Sequence, residues 1–136
     1  MAKYGSDDAK IEVDNSGGTP VDLSAYITEI NEVNVEALLQ EATPVGVAWV
    51  QQLFTGIKQM QPVTLSGFYD DTASSGPDAV LGAGALGDTR TLTVTYGSTK
   101  TTSVECIVTS YVRNIVSKEL TRFSATLTPT GTVTEA

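Results

Sequence analysis

The segment GAGALG, from Gly82 to Gly87, carries the spacing G-x-G-x-x-G. Such glycines cradle a dinucleotide pyrophosphate when a strand runs into them and a helix leaves them. Asp70, Asp71 and Asp78 stand in and around a Ser/Gly loop and offer oxygen ligands of the kind calcium takes. The chain also holds 16 acidic residues, any two of which could meet as a glycosidase pair, and a single thiol, Cys106. There is no histidine. That removes Ser-His-Asp and Cys-His nucleophiles and most zinc sites, and one cysteine excludes an intrachain disulfide.

Whether the remaining groups can act depends on the elements that hold them. DTASSGPDAVLGAGALGD reads as a loop, a helix start around Ser75 to Asp78, then the glycines, then a strand from Thr89. The order is the reverse of a pyrophosphate cradle, so the glycines are expected to end a weak helix and lead into a strand. The spacing of the three aspartates does not fit an EF-hand, and turn-forming and capping roles are expected instead. Cys106, inside VECIV, is expected as a buried, inert thiol. No catalytic residue, metal ligand or cofactor contact stands out.

Period-2 alternation is the dominant pattern. In TRTLTVTYG, Leu92, Val94 and Tyr96 share one face and Thr91, Thr93 and Thr95 the other. SVECIVTSYVRN has apolar residues on both faces and is expected to be central; ELTRFSATL completes an antiparallel meander with Phe123, Ala125 and Leu127 in phase. AKIEVDN and TPVDLS flank a turn at Asn15 to Gly18, and VTLSGFYDD follows Pro62 as a further strand. Val33, Val35, Ala37 and Leu39 alternate with Asn34, Glu36 and Gln40 until Leu38 breaks the pattern. In TPVGVAWVQQLFTGIK the period changes: Thr43 can cap, Pro44 fits the first helical position, Val45, Trp49 and Leu53 recur every four residues, and Gly56 can close the end. A helix of about three turns packed on the sheet is predicted there.

The 136 residues are about one domain's worth, and 40% hydrophobic with 18% charged residues is a globular balance. A formal net charge of -8 disfavours phosphate binding. No apolar run reaches the length of about 20 residues that a membrane span needs, so a soluble protein of a reducing cytoplasm is expected. Acids crowd the first 43 residues, where only Lys3 and Lys10 oppose them. They are either a solubilising surface or the wall of a confined space in an oligomer, where like charge keeps a polyanion from sticking.

Taken in order, GGTPVDLSAYITEI, ATPVGVAWVQQLFTGIK, VTLSGFYDDT and LTRFSATLTPTGTVTEA resemble the tail tube (major tail) protein of long-tailed bacteriophages. The resemblance implies a mainly β fold, an antiparallel β-sandwich or barrel-like domain with one flanking α-helix. It spans residues 1–136, with a flexible N-terminal segment over about 1–9 and a C-terminal tail over about 129–136. It also implies a structural virion protein, not an enzyme, with no cofactor and no metal. The protein would be made in the host cytoplasm and assembled as hexameric rings stacked into a tube, with tape measure, tail tip and tail terminator proteins as partners. DNA would pass through the lumen without specific binding.

The hairpin that locks ring to ring is expected over Tyr26 to Thr43, with Asn31 to Asn34 near its tip. Asn31, Val33, Asn34, Val35, Ala37 and Leu39 are the candidate subunit contacts, and Glu29, Glu32 and Glu36 the candidate lumen charges. Competing readings are another ring protein of the same particles, a terminator or head-tail joining protein, and a ligand- or carbohydrate-binding β-sandwich. The latter would want exposed aromatics or a calcium site. An acidic hydrolase ranks last.

Overall fold

The computed structural model describes residues 5, 8–73, 76–97 and 99–136. Most of the segment expected to be flexible at the N-terminus, and Ser75 at the expected helix start, lie outside these residues. The strands are β1 (Lys10–Asp14), β2 (Pro20–Asp22), β3 (Ile27–Ile30), β4 (Val35–Glu41), β5 (Gln52–Met60), β6 (Val63–Phe68), β7 (Thr89–Thr95), β8 (Thr101–Asn114), β9 (Arg122–Pro129) and β10 (Thr134–Glu135). One α-helix, α1 (Pro77–Leu81), and a 3-10 turn at Ala83–Ala85 separate β6 from β7.

The main sheet runs β2-β1-β7-β8-β9-β6-β3, and β10 joins β8. All of its pairs are antiparallel, so the fold is mainly antiparallel β. The expected meander is β7-β8-β9, and β8 sits at its centre. Alternation sets one face of this sheet inward: Val13 stands opposite Leu92, Leu92 opposite Val104, Val108 opposite Leu127, and Leu127 opposite Val63. All are buried. The sheet curls over this face, because Ile30 and Val33 line one cleft with Ile11, Val94 and Tyr96 from the other side of the sheet. Val80 and Leu81 of α1 enter the same core.

Pro77 opens α1 at its first turn and Gly82 ends it, with the Gly82 N–H donating to the Asp78 carbonyl at 3.0 Å. Gly87, at φ 83°, turns the chain into β7 and donates to the Val108 carbonyl at 2.8 Å. The G-x-G-x-x-G stretch therefore ends a helix and feeds a strand, as its order implies. Asp70 accepts from the Thr72 N–H at 2.7 Å and from its hydroxyl, which closes a turn. Asp78 accepts from the Arg113 guanidinium at 2.6 Å and 3.2 Å, tying α1 to the far end of β8. Cys106 is fully buried; desolvation first, then the Glu105 carboxylate, push its thiol up to about 12.

The sequence over 43–56 does not form the predicted helix. Residues 52–60 are β5, paired with β4 as a separate two-stranded sheet. Thr43 does not cap a helix: its hydroxyl accepts from the Gln51 N–H at 2.9 Å and closes the loop. Pro44 begins a turn in which the Val47 N–H donates to its carbonyl at 3.3 Å. Gly56 has φ 88° within β5 where the register breaks, its neighbours Phe54 and Lys58 pairing with Leu39 and Ala37. The break in alternation at Leu38 is the other side of that irregularity, and the Leu38 carbonyl accepts from the Thr55 hydroxyl at 2.9 Å. Helical spacing of Val45, Trp49 and Leu53 is thus a coincidence of a loop running into a strand.

The C-terminal stretch expected as a tail runs beside β8. Thr134 and Glu135 pair with Ser103 and Thr102, and Ala136 exchanges two backbone hydrogen bonds with Thr101.

Candidate subunit interface and polar sheet face

Two surfaces of the molecule are unlike an ordinary solvated exterior. The first is the β4–β5 hairpin. At a strand rise of about 3.3 Å its nine-residue β5 reaches roughly 30 Å. Val35, Leu39, Leu53, Phe54 and Ile57 along its strands are exposed, as are Val45, Val47, Trp49 and Val50 in its loop. Trp49 is 82% exposed and Val45 fully so. These apolar side chains are left uncovered within this chain, the kind of surface that contacts with other molecules use.

Of the candidate contact residues, Val35, Ala37 and Leu39 lie along this arm and are exposed. Asn31, Val33 and Asn34 lie at its base rather than its tip. Asn31 donates its N–H to the Thr64 carbonyl at 3.0 Å and accepts from the Thr64 N–H at 2.9 Å. The Asn34 carbonyl accepts from the Gln61 N–H at 3.0 Å, and Val33 packs half-buried on the core. The hairpin is therefore Val35 to Met60, with its tip in the loop before Gln52, and not Tyr26 to Thr43. The apolar residues of β5 and its loop were missed because they were assigned to a buried helical stripe. A strand signal was the β-prone run Leu53-Phe54-Thr55 ahead of Ile57, which the helical spacing of Val45, Trp49 and Leu53 overrode.

The second surface is the outer face of the main sheet, formed by the alternate residues. It is a hydroxyl-rich field: Thr64 meets Thr126, Thr93 meets Ser103, and Thr109 meets Thr128, with oxygen separations of 3.4, 3.4 and 3.2 Å. Carboxylates stud it. Glu12 stands opposite both Asp22 and Thr93, and the Asp14 carboxylate accepts from the Thr91 N–H at 2.5 Å. Glu105 accepts from the Thr91 hydroxyl, and Glu29 stands opposite Ser66. Lys10, 3.6 Å from Glu12, lies on the same strand.

Of the three candidate lumen charges only Glu29 belongs to this face. Glu32 is exposed in the link between β3 and β4. Glu36 lies on the hairpin, where the side-chain amides of Gln59 and Gln61 donate to it at 3.2 and 3.1 Å and hold its carboxyl below the usual range. Glu12, Asp14, Asp22 and Glu105 were legible as acids but not as one surface, because strand order decides which carboxylates share a face.

The fold of this chain is shared with chains of solved tail and baseplate structures. The chain is similar over its full length to one from the tail of an empty GTA particle, computed with helical refinement and C6 symmetry. There the TM-score is 0.78 at 14% identity, covering 99% of each chain. A chain from the virion of a native gene transfer agent particle gives TM-score 0.78 at 12% identity with 99% of each covered. One from the six-fold symmetrised anti-feeding prophage baseplate gives 0.75 at 9% identity, covering 100% of this chain and 97% of that one. No family model matches the sequence, and no curated protein does. No helix among the described residues is long and apolar enough to cross a membrane.

Proposed function

We propose that this chain is a structural, non-catalytic tail tube protein that assembles as hexameric rings stacked into a tube, whose acidic lumen conducts DNA without binding it. The observation that carries the reading is the full-length match of fold to chains in tail particles with six-fold symmetry. Two features of the molecule support it. The apolar β4–β5 arm has no core of its own to cover and suits contact with neighbouring copies. The outer sheet face carries Glu12, Asp14, Asp22, Glu29 and Glu105 among hydroxyls. Facing a lumen, such a wall repels phosphate at every ring, whereas a favourable contact repeated at every ring would arrest the passage of DNA.

On this reading the site of action is the virion, after assembly in the host cytoplasm, with tape measure, tail tip and tail terminator proteins as partners. A ring at the baseplate end of such a tail is the second reading, favoured by the baseplate match at TM-score 0.75. Negative-stain electron microscopy of the concentrated protein, with its mass in solution, separates the two. Long hollow tubes are expected, and closed single rings that never stack support the baseplate reading. A monomer that binds a glycan or calcium tightly overturns both.

A further inference from the structure

Strand directions divide the molecule into two poles. β9 runs from the β8–β9 turn at one end to Pro129 at the other, and β6 begins opposite Leu127 near that second end. The β4–β5 hairpin leads into β6 through Gln61 and Pro62, so it emerges at the pole away from the β8–β9 turn. Each pole carries a feature that the fold itself does not use.

At the first pole the β8–β9 turn exposes Ile115, Val116 and Leu120, with Ile115 85% exposed. Lys118, at φ 67°, and Glu119 sit between them. None of these apolar side chains joins the core. At the second pole β5 and the C-terminal stretch diverge and leave an open groove of about 860 Å³. Val35, Met60, Pro129 and Val133 give it apolar walls, and Lys58 and Glu135 bring one charge of each sign.

We propose that the β8–β9 turn of one copy seats in the groove between β5 and the C-terminal stretch of the next copy. The inference rests on the stacked-tube reading and names the surfaces that make its axial contact. Charge favours this occupant: Lys118 and Glu119 on the turn match Glu135 and Lys58 at the groove. Because turn and groove lie at opposite ends of β9, the contact is heterologous and leaves a free turn and a free groove after every addition. Such a contact propagates along an axis instead of closing a pair.

The test is a full-length chain carrying Val116→Cys on the turn and Thr132→Cys on the groove wall, both at exposed positions, with the buried Cys106 left in place. Assembled protein is treated with a short bis-maleimide and run under denaturing conditions. A covalent ladder extending beyond the dimer is expected from the double variant and not from either single variant. Well-formed tubes with no ladder overturn the proposed pair of surfaces while leaving the tube reading intact. Wild-type protein that remains monomeric at high concentration counts against both. A Val116→Glu, Leu120→Glu chain, folded by circular dichroism, is expected to lose stacking, and tubes of normal length from it likewise overturn the proposal.

Discussion

Gly67 of β6 passes directly against the backbone of Tyr26, and a Cβ on it would collide with the Tyr26 carbonyl oxygen and with Ile27 Cα. That oxygen accepts the Phe68 N–H at 2.8 Å, which fastens the start of β3 to the end of β6. The neighbour is main chain and cannot turn aside as a side chain can. Gly67→Ala is therefore expected to cost about 1–3 kcal/mol. The measurement is a urea unfolding curve, where the midpoint falls at unchanged slope; an unaltered midpoint disproves the close approach.

Two carboxylates give the acid limb of stability a defined sign. At Asp22 burial pushes the carboxyl up, but the Ser24 hydroxyl and N–H, together with Lys10, outweigh it and leave it below its ordinary value of 3.8. The Gln59 and Gln61 amides hold Glu36 below 4.5. A folded value below the unfolded one adds stability that is complete above the unfolded value and is lost as pH falls through the folded one. An Asp22→Asn, Glu36→Gln chain is expected to be less stable than wild type at pH 7 and to converge with it as pH falls below the ordinary carboxylate range. Parallel thermal melts across that range check it, and curves that stay equally separated down to pH 2 refute the assignment.

Cys106 is sealed in the sheet and its thiol is pushed up to about 12. Since the thiolate is the reactive form, a maleimide or aromatic disulfide reagent is expected to leave it untouched at pH 8 until denaturant is added. Rapid labelling of the folded protein contradicts this.

Trp49 and Leu53 stand on the hairpin with little of their surface covered. Replacing both by Ser is expected to change monomer stability by no more than about 0.5 kcal/mol each, as for surface positions generally. Assembly, in contrast, is expected to fail. Sedimentation velocity beside a thermal melt reads both quantities, and a large loss of melting temperature shows instead that the arm folds back on its own chain.

On the proposed tube reading, reversal of the polar sheet face is the test of DNA passage. Tubes carrying Glu29→Lys and Glu105→Lys are expected to form at normal diameter but to deliver DNA poorly, and more poorly still at low salt, where phosphate contacts strengthen. Full infectivity from well-formed tubes of this variant removes the electrostatic account of the lumen.

Most of the main sheet was legible in the sequence, because a strand with one face on a core must alternate. TRTLTVT and RFSATL do so and became β7 and β9, while apolar residues on both faces of SVECIVTSYVRN marked it as the central β8. The role of the Gly82 to Gly87 stretch was legible too, since the order of elements around it excludes a phosphate cradle. Misreading fell mostly on residues that no core within this chain constrains, though the hairpin was also misplaced over Tyr26 to Thr43, where Ile27, Ile30 and Val33 pack on the core. Val45, Trp49 and Leu53 fall four apart, and with both faces of β5 exposed no burial pattern opposed the helical period. The sequence by itself determined where alternation places the core, and which chemistries a chain without histidine cannot perform. Only the tertiary structure decided that the 43–56 stretch is the far half of an arm, and that Glu12, Asp22, Glu29 and Glu105 share one face. Strand order and hairpin pairing join residues distant in the chain, and no local period records such partners.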